Sequence, residues 1–73
     1  MDGGEYMEDR DAYSVVEFCR RHGFSKGFLY AEWRAGRGPQ FFWAGDRRLI
    51  TPEAAAAWRM EREAETAALL QTA

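Results

Sequence analysis

The chain has 73 residues, 47% of them hydrophobic, 30% charged and 15% aromatic. That is one small domain burying about 60% of its unfolded surface, too apolar for a disordered tail and without the ~18–20 apolar residues of a membrane span. A single cysteine, Cys19, excludes an internal disulfide framework and suits a reducing cytoplasm, and the net charge of -2 argues at first sight against a nucleic-acid partner.

Residues 1–11 hold Asp2, Glu5, Glu8, Asp9 and Asp11 against Arg10, a net of -4. They show no period and are expected to form a flexible acidic tail. They lack the basic and then apolar regions of a signal peptide. Ser14 and Glu17 then spell an S-x-x-E capping box, and Tyr13 stands where a hydrophobic staple packs on Phe18. Val15, Phe18, Cys19 and His22 fall on one helical face. Gly23 offers a left-handed stop.

Only Phe24 separates Gly23 from the next cap, Ser25, and Phe24 with Leu29 has staple spacing. The pattern predicts a second helix over residues 26 to about 35, ending at Gly36. Two short helices joined so tightly cannot lie antiparallel; they form a helix-turn-helix corner.

Arg37, Gly38 and Pro39 form a loop. Residues 40–43 read as a strand, Gly45-Asp46 as a two-residue type II′ turn, and residues 48–50 as a second strand. In that register Trp43 faces Arg48 and Phe41 faces Ile50, while Phe42 faces Leu49 and Ala44 faces Arg47. Both faces are apolar at the base with an Arg near the tip. The expectation is Phe42 and Leu49 inward, with Trp43 and Arg48 outside as a cation–π pair. Thr51, Pro52 and Glu53 open a third helix. Ala54, Ala57 and Trp58 are expected to touch the core, and Arg59–Glu63 to brace the helix. Over residues 61–73 its face turns acidic, so an extension leaving the domain is expected.

Charge is unevenly spread. Residues 12–50 carry seven bases and three acids, a net of +4, and residues 51–73 a net of -2. A basic module therefore lies between acidic flanks, and the acidic total no longer argues against a polyanion. On the second helix Lys26, Tyr30, Arg34 and Arg37 span an arc of about 80°, beside the small Gly27 and Ala31. Leu29 and Trp33 are the anchors on the other side. The arc reads either as a solvated basic face or as a face that approaches a groove while long side chains reach phosphates and bases.

Chemistry of other kinds finds little support. Cys19 and His22 are too few for zinc, and their place on the apolar stripe implies a buried thiol and a boundary imidazole. Gly36-x-Gly38 lacks the context of a phosphate loop. No catalytic residues, metal site or cofactor are expected, and the protein is not expected to be an enzyme.

Taken together, Tyr13-Ser14-Val15-Val16-Glu17, Gly23-Phe24-Ser25-Lys26, Leu29-Tyr30, Gly36, Pro39, Arg47-Arg48-Leu49-Ile50-Thr51-Pro52-Glu53-Ala54 and Trp58 resemble the excisionase-like, MerR-type winged helix-turn-helix family of small prophage and mobile-element proteins. The resemblance covers about residues 12–60. It implies an α+β fold of three helices and a two-stranded hairpin wing that binds double-stranded DNA. It further implies a recognition helix presenting Lys26, Gly27, Phe28, Ala31 and Arg34 to the major groove, with Tyr30 near phosphate. Ser25 and Arg37 border this set, and Trp43, Arg47 and Arg48 belong to the wing. Phe28, Ala31 and Trp43 depart from the residues usual at their positions, which bears on base preference.

The implied role is a recombination directionality factor that binds adjacent sites and steers an integrase towards excision. A small transcriptional regulator is the alternative on the same fold. A protein-interaction module using the acidic tail, Trp43, Leu69 and Leu70 is the rival from another class. A single module covers only about 600–1,000 Å² of protein surface on DNA, so cooperative self-association on DNA is expected. The expected partners are duplex DNA, an integrase or other DNA-bound protein, and further copies, with no membrane; the expected location is the bacterial cytoplasm, on the nucleoid.

Overall fold

The computed structural model describes residues 11–72. The acidic tail expected over residues 1–11 lies, apart from Asp11, outside the described residues. The chain runs β1 (Tyr13–Ser14), α1 (Val15–His22), α2 (Lys26–Arg34), β2 (Phe42–Ala44), β3 (Arg47–Ile50) and α3 (Pro52–Thr72). Among the described residues it is a small α+β fold with three helices and one antiparallel three-stranded sheet in the order β1-β3-β2.

The helix boundaries follow from local chemistry. The Glu17 N–H donates to Ser14 Oγ at 3.1 Å, the Phe28 N–H to Ser25 Oγ at 3.1 Å, and the Ala54 N–H to Thr51 Oγ1 at 3.0 Å. Each cap satisfies one of the N–H groups left free in a first turn. At the other end of α1, Gly23 adopts φ 77°, so its own N–H and that of Phe24 both reach Cys19 O. A residue with a Cβ is strained in that conformation.

The hairpin turn is equally local. Gly45 has φ 67°, and no described non-glycine residue has positive φ. Asp46 therefore cannot complete a type I′ turn, and the geometry agrees with type II′. The register follows: Phe42 pairs with Leu49, Trp43 with Arg48 and Ala44 with Arg47. The strands are shifted from expectation, β2 ending at Ala44 and β3 starting at Arg47.

Three expectations are corrected. The sheet has a third strand, because Tyr13 pairs with Ile50 and Ser14 with Leu49; two residues carry no alternation that a sequence pattern would reveal. On α3 it is Ala55, fully buried, rather than the exposed Ala57, that joins Trp58 in the core. Ala54 and Trp58 keep their expected places, so the inward face of the helix is turned by only about 50° towards Ala55. The inward face of the hairpin is the one that holds Ile50, fully buried, while Phe42 is 45% exposed.

The core consists of Phe18, Cys19, Leu29, Ile50, Ala55 and Trp58, with Tyr13, Val15, Phe24, Trp33 and Ala54 packed against it. Two indoles secure the connection from α2 to β2. Trp33 Nε1–H donates to Pro39 O at 2.7 Å and Trp58 Nε1–H donates to Arg37 O at 2.7 Å. Gly38 lies against Trp33 so closely that a Cβ there would collide with the indole ring. Beyond Trp58, α3 is largely solvent-exposed, Met60, Leu69 and Leu70 included, with Arg62 half-buried. The ion pair along it joins Arg62 to Glu65 at 2.9 Å, while Arg59 turns back to His22. Among the described residues no helix is long and apolar enough to cross a membrane.

Candidate nucleic-acid interface

α2 divides into two sides. Leu29 is fully buried and Trp33 half-buried, whereas Lys26, Gly27, Phe28, Tyr30, Ala31 and Arg34 are exposed, as is the capping Ser25. Lys26 and Tyr30 of this exposed set face an open cleft of about 560 Å³ between α2, the start of α1 and the hairpin, whereas Phe28 packs on Phe24 with ring centroids 4.8 Å apart. Lys26 and Tyr30 line the cleft from α2, Trp43, Asp46, Arg47 and Arg48 from the hairpin, and Ser14 and Val16 from the entry to α1. Among the described residues, Lys26, Arg47 and Arg48 thus share one concavity with a single acid, Asp46. Arg34 lies two helical turns beyond Lys26 on the same side of α2.

The other cations are engaged differently. Arg37 Nε and Nη2 donate to Glu32 Oε1 and Oε2 at 3.2 and 3.1 Å. This two-point pair raises the guanidinium pKa, through the hydrogen bond first and the charge of Glu32 second. It also turns Arg37 back onto α2, so Arg37 brings no unneutralised charge to the arc. Arg21 lies 3.8 Å from Glu17 and over the Tyr13 ring at 5.0 Å, on the side of α1.

Arg48 is the least expected. Its guanidinium carbon lies 4.6 Å from the centroid of Trp33, 4.7 Å from Phe41, 5.1 Å from Tyr30 and 5.3 Å from Trp43. The anticipated pairing with Trp43 forms, but on the face turned towards α2. Trp33 and Phe41 were legible only as core and strand residues. The available signal was the register itself, which sets Phe41 and Trp43 on the Arg48 face. It shows its value only once α2 brings Tyr30 and Trp33 across.

Cys19 and His22 occupy structural places. Cys19 is 4% exposed, and burial pushes its thiol pKa up, with Lys26 pulling weakly the other way. His22 stacks on Phe18 with ring centroids 4.1 Å apart. Its Nδ1 lies 2.8 Å from Phe18 O, and its Nε2 lies 3.2 Å from Arg59 Nη1. A guanidinium has no acceptor, so this contact requires the tautomer with its proton on Nδ1. Among the described residues no three His, Cys, Asp or Glu side chains are grouped to hold a metal ion.

Comparison with protein-family models, with curated proteins and with solved structures finds no match to this chain.

Proposed function

We propose that this protein is a winged helix-turn-helix module that binds double-stranded DNA, with α2 entering the major groove and the β2–β3 hairpin lying against the backbone or minor groove. The observation that carries the reading is the cleft between α2 and the hairpin, lined by Lys26, Arg47 and Arg48, with Asp46 the only acid among the described residues that line it. Cations on two projecting elements, with a concavity between them, suit a curved polyanion better than a flat partner.

Gly27 adds support. It sits in the first turn of α2, where glycine is less favourable than alanine, though by less than the ~1 kcal/mol of a helix interior. A Cβ there would meet only Ser25 Oγ at 3.8 Å, an ordinary contact. Packing within the chain therefore does not call for glycine; close approach by a groove wall does.

The role that fits the family resemblance is a directionality factor, binding adjacent sites and steering an integrase towards excision. Met60 and Leu70, exposed on α3 beyond Trp58, offer apolar contacts to a protein partner or a neighbouring copy.

Titration of labelled duplexes at increasing salt tests the reading. Affinity should fall by about 0.9 log unit per log salt for each phosphate neutralised. Arg34→Glu and Arg47→Glu should each reduce binding at least about tenfold while leaving the unfolding midpoint near that of wild type. Binding by the wild type that is absent or indifferent to salt rejects the proposal. Footprints beside an attachment site support the excision role; footprints over a promoter assign the regulator.

A further inference from the structure

Arg47 and Arg48 are adjacent, and both have a place on a DNA-binding hairpin, yet their surroundings differ. Arg47 is exposed near the hairpin tip. Arg48 is half-buried among four aromatic rings, with its guanidinium carbon 4.6–5.3 Å from each centroid. The rings touch one another in a chain: Tyr30 to Trp33 at 5.3 Å, Trp33 to Phe41 at 5.0 Å, and Phe41 to Trp43 at 5.6 Å. Tyr30 and Trp33 belong to α2, Phe41 to the loop before β2, and Trp43 to β2. One cation thus bridges α2 and the hairpin, two of the elements that frame the cleft.

Among the described residues no carboxylate pairs with Arg48. Its charge is met by the negative faces of the rings, an attraction that strengthens as water is excluded. The cage rests on a fixed base. Trp33 is held by its hydrogen bond to Pro39 O and by its contact with Gly38. The hairpin itself is short, and a two-stranded hairpin alone is marginal in water. Beyond β1, which pairs only with the Leu49–Ile50 end of β3, the Arg48 cage is what joins the distal hairpin to α2.

We propose that Arg48 is a positioning residue: it locks the hairpin onto α2 and sets the spacing of the two cationic edges, while Arg47 and Lys26 meet the phosphates. This inference rests on the duplex-binding reading.

The test uses the full chain and measures duplex affinity against salt for wild type, Arg47→Ala, Arg48→Ala and Arg48→Lys. Arg47→Ala should flatten the salt slope by about 0.9. Arg48→Ala should lose about tenfold in affinity with the wild-type slope intact, and Arg48→Lys, which keeps a cation in the cage, should regain part of the loss. A slope that flattens in Arg48→Ala as it does in Arg47→Ala overturns the proposal, and so does unchanged affinity.

Proton NMR of the free wild-type protein supplies a measurement that needs no variant to fold. The Arg48 Hδ resonances should be shifted upfield by the ring currents, and those of Arg47 should not. Ordinary shifts for Arg48 reject the cage whatever the DNA result. Failure of the wild type to bind any duplex rejects the DNA reading, and the positioning role with it, while leaving the NMR result to judge the cage.

Discussion

On the inner face of the hairpin Phe41, Trp43, Arg48 and Ile50 turn towards α2 and the core, and Ile50 is fully buried. On the outer face Phe42, Ala44 and Arg47 are exposed and Leu49 is half-buried beside β1; towards the tip the inner face opens too, with Trp43 58% exposed against 45% for Phe42. The two faces have nearly the same composition: aromatic, aliphatic and one arginine each. Composition therefore does not decide which is buried. Tertiary packing decides it: Phe18, Leu29, Ala55 and Trp58 enclose Ile50, and α2 carries Tyr30 and Trp33 to the same side of the sheet. The same event gives two neighbouring arginines different tasks.

The largest expected effect comes from breaking the buried end of the inner face. Ile50→Ala should cost about 2–5 kcal/mol by loss of transfer energy and formation of a cavity. Phe42→Ala, its counterpart outside, should cost about 1 kcal/mol or less. Urea denaturation of both variants measures the contrast; equal losses would mean that the faces are not distinguished as described.

A smaller effect is expected where the inner face is propped. Gly38→Ala pushes a methyl group into the Trp33 ring and should cost about 1–3 kcal/mol by overpacking. Because Trp33 is a wall of the Arg48 cage, the ring-current shift of Arg48 should shrink in the same variant. Loss of stability with an unaltered Arg48 shift would separate the cage from its prop.

The smallest effect is a dependence on pH in the core that seals Ile50. Burial holds the Cys19 thiol pKa above its ordinary value. The folded state then keeps the proton where the unfolded chain has released it. The contribution is fully present below the unfolded thiol's pKa and is lost as pH rises through the folded one. Wild type should therefore lose stability relative to Cys19→Ala on going from neutral to alkaline pH. Urea midpoints of the two proteins, followed in parallel, check this; parallel curves would show that the thiol titrates alike in both states.

Much of the site was legible residue by residue. Ser25, Lys26, Tyr30 and Arg34 occupy the exposed side of α2 that their spacing indicated, and Leu29 the buried side. Arg37 shares their arc but not their freedom, since Glu32 five positions earlier takes up its guanidinium. That pair bridges the end of α2 and the start of the loop, so no helical spacing rule foresees it. Trp58 was legible as a core residue. Its second task, holding Arg37 O across 21 positions of sequence, was not.

What the sequence by itself determined is everything set within a few residues: the caps at Ser14, Ser25 and Thr51, the left-handed stop at Gly23, the turn at Gly45 and the hairpin register. These depend on hydrogen bonds and dihedral preferences that need no distant partner. Tertiary structure alone decided the third strand at Tyr13, the choice of Ala55 over Ala57, the inward face of the hairpin and the enclosure of Arg48. Each of these depends on which of two similar surfaces a remote element covers. That choice comes from the summed packing of the whole core, to which no single stretch of sequence holds the answer.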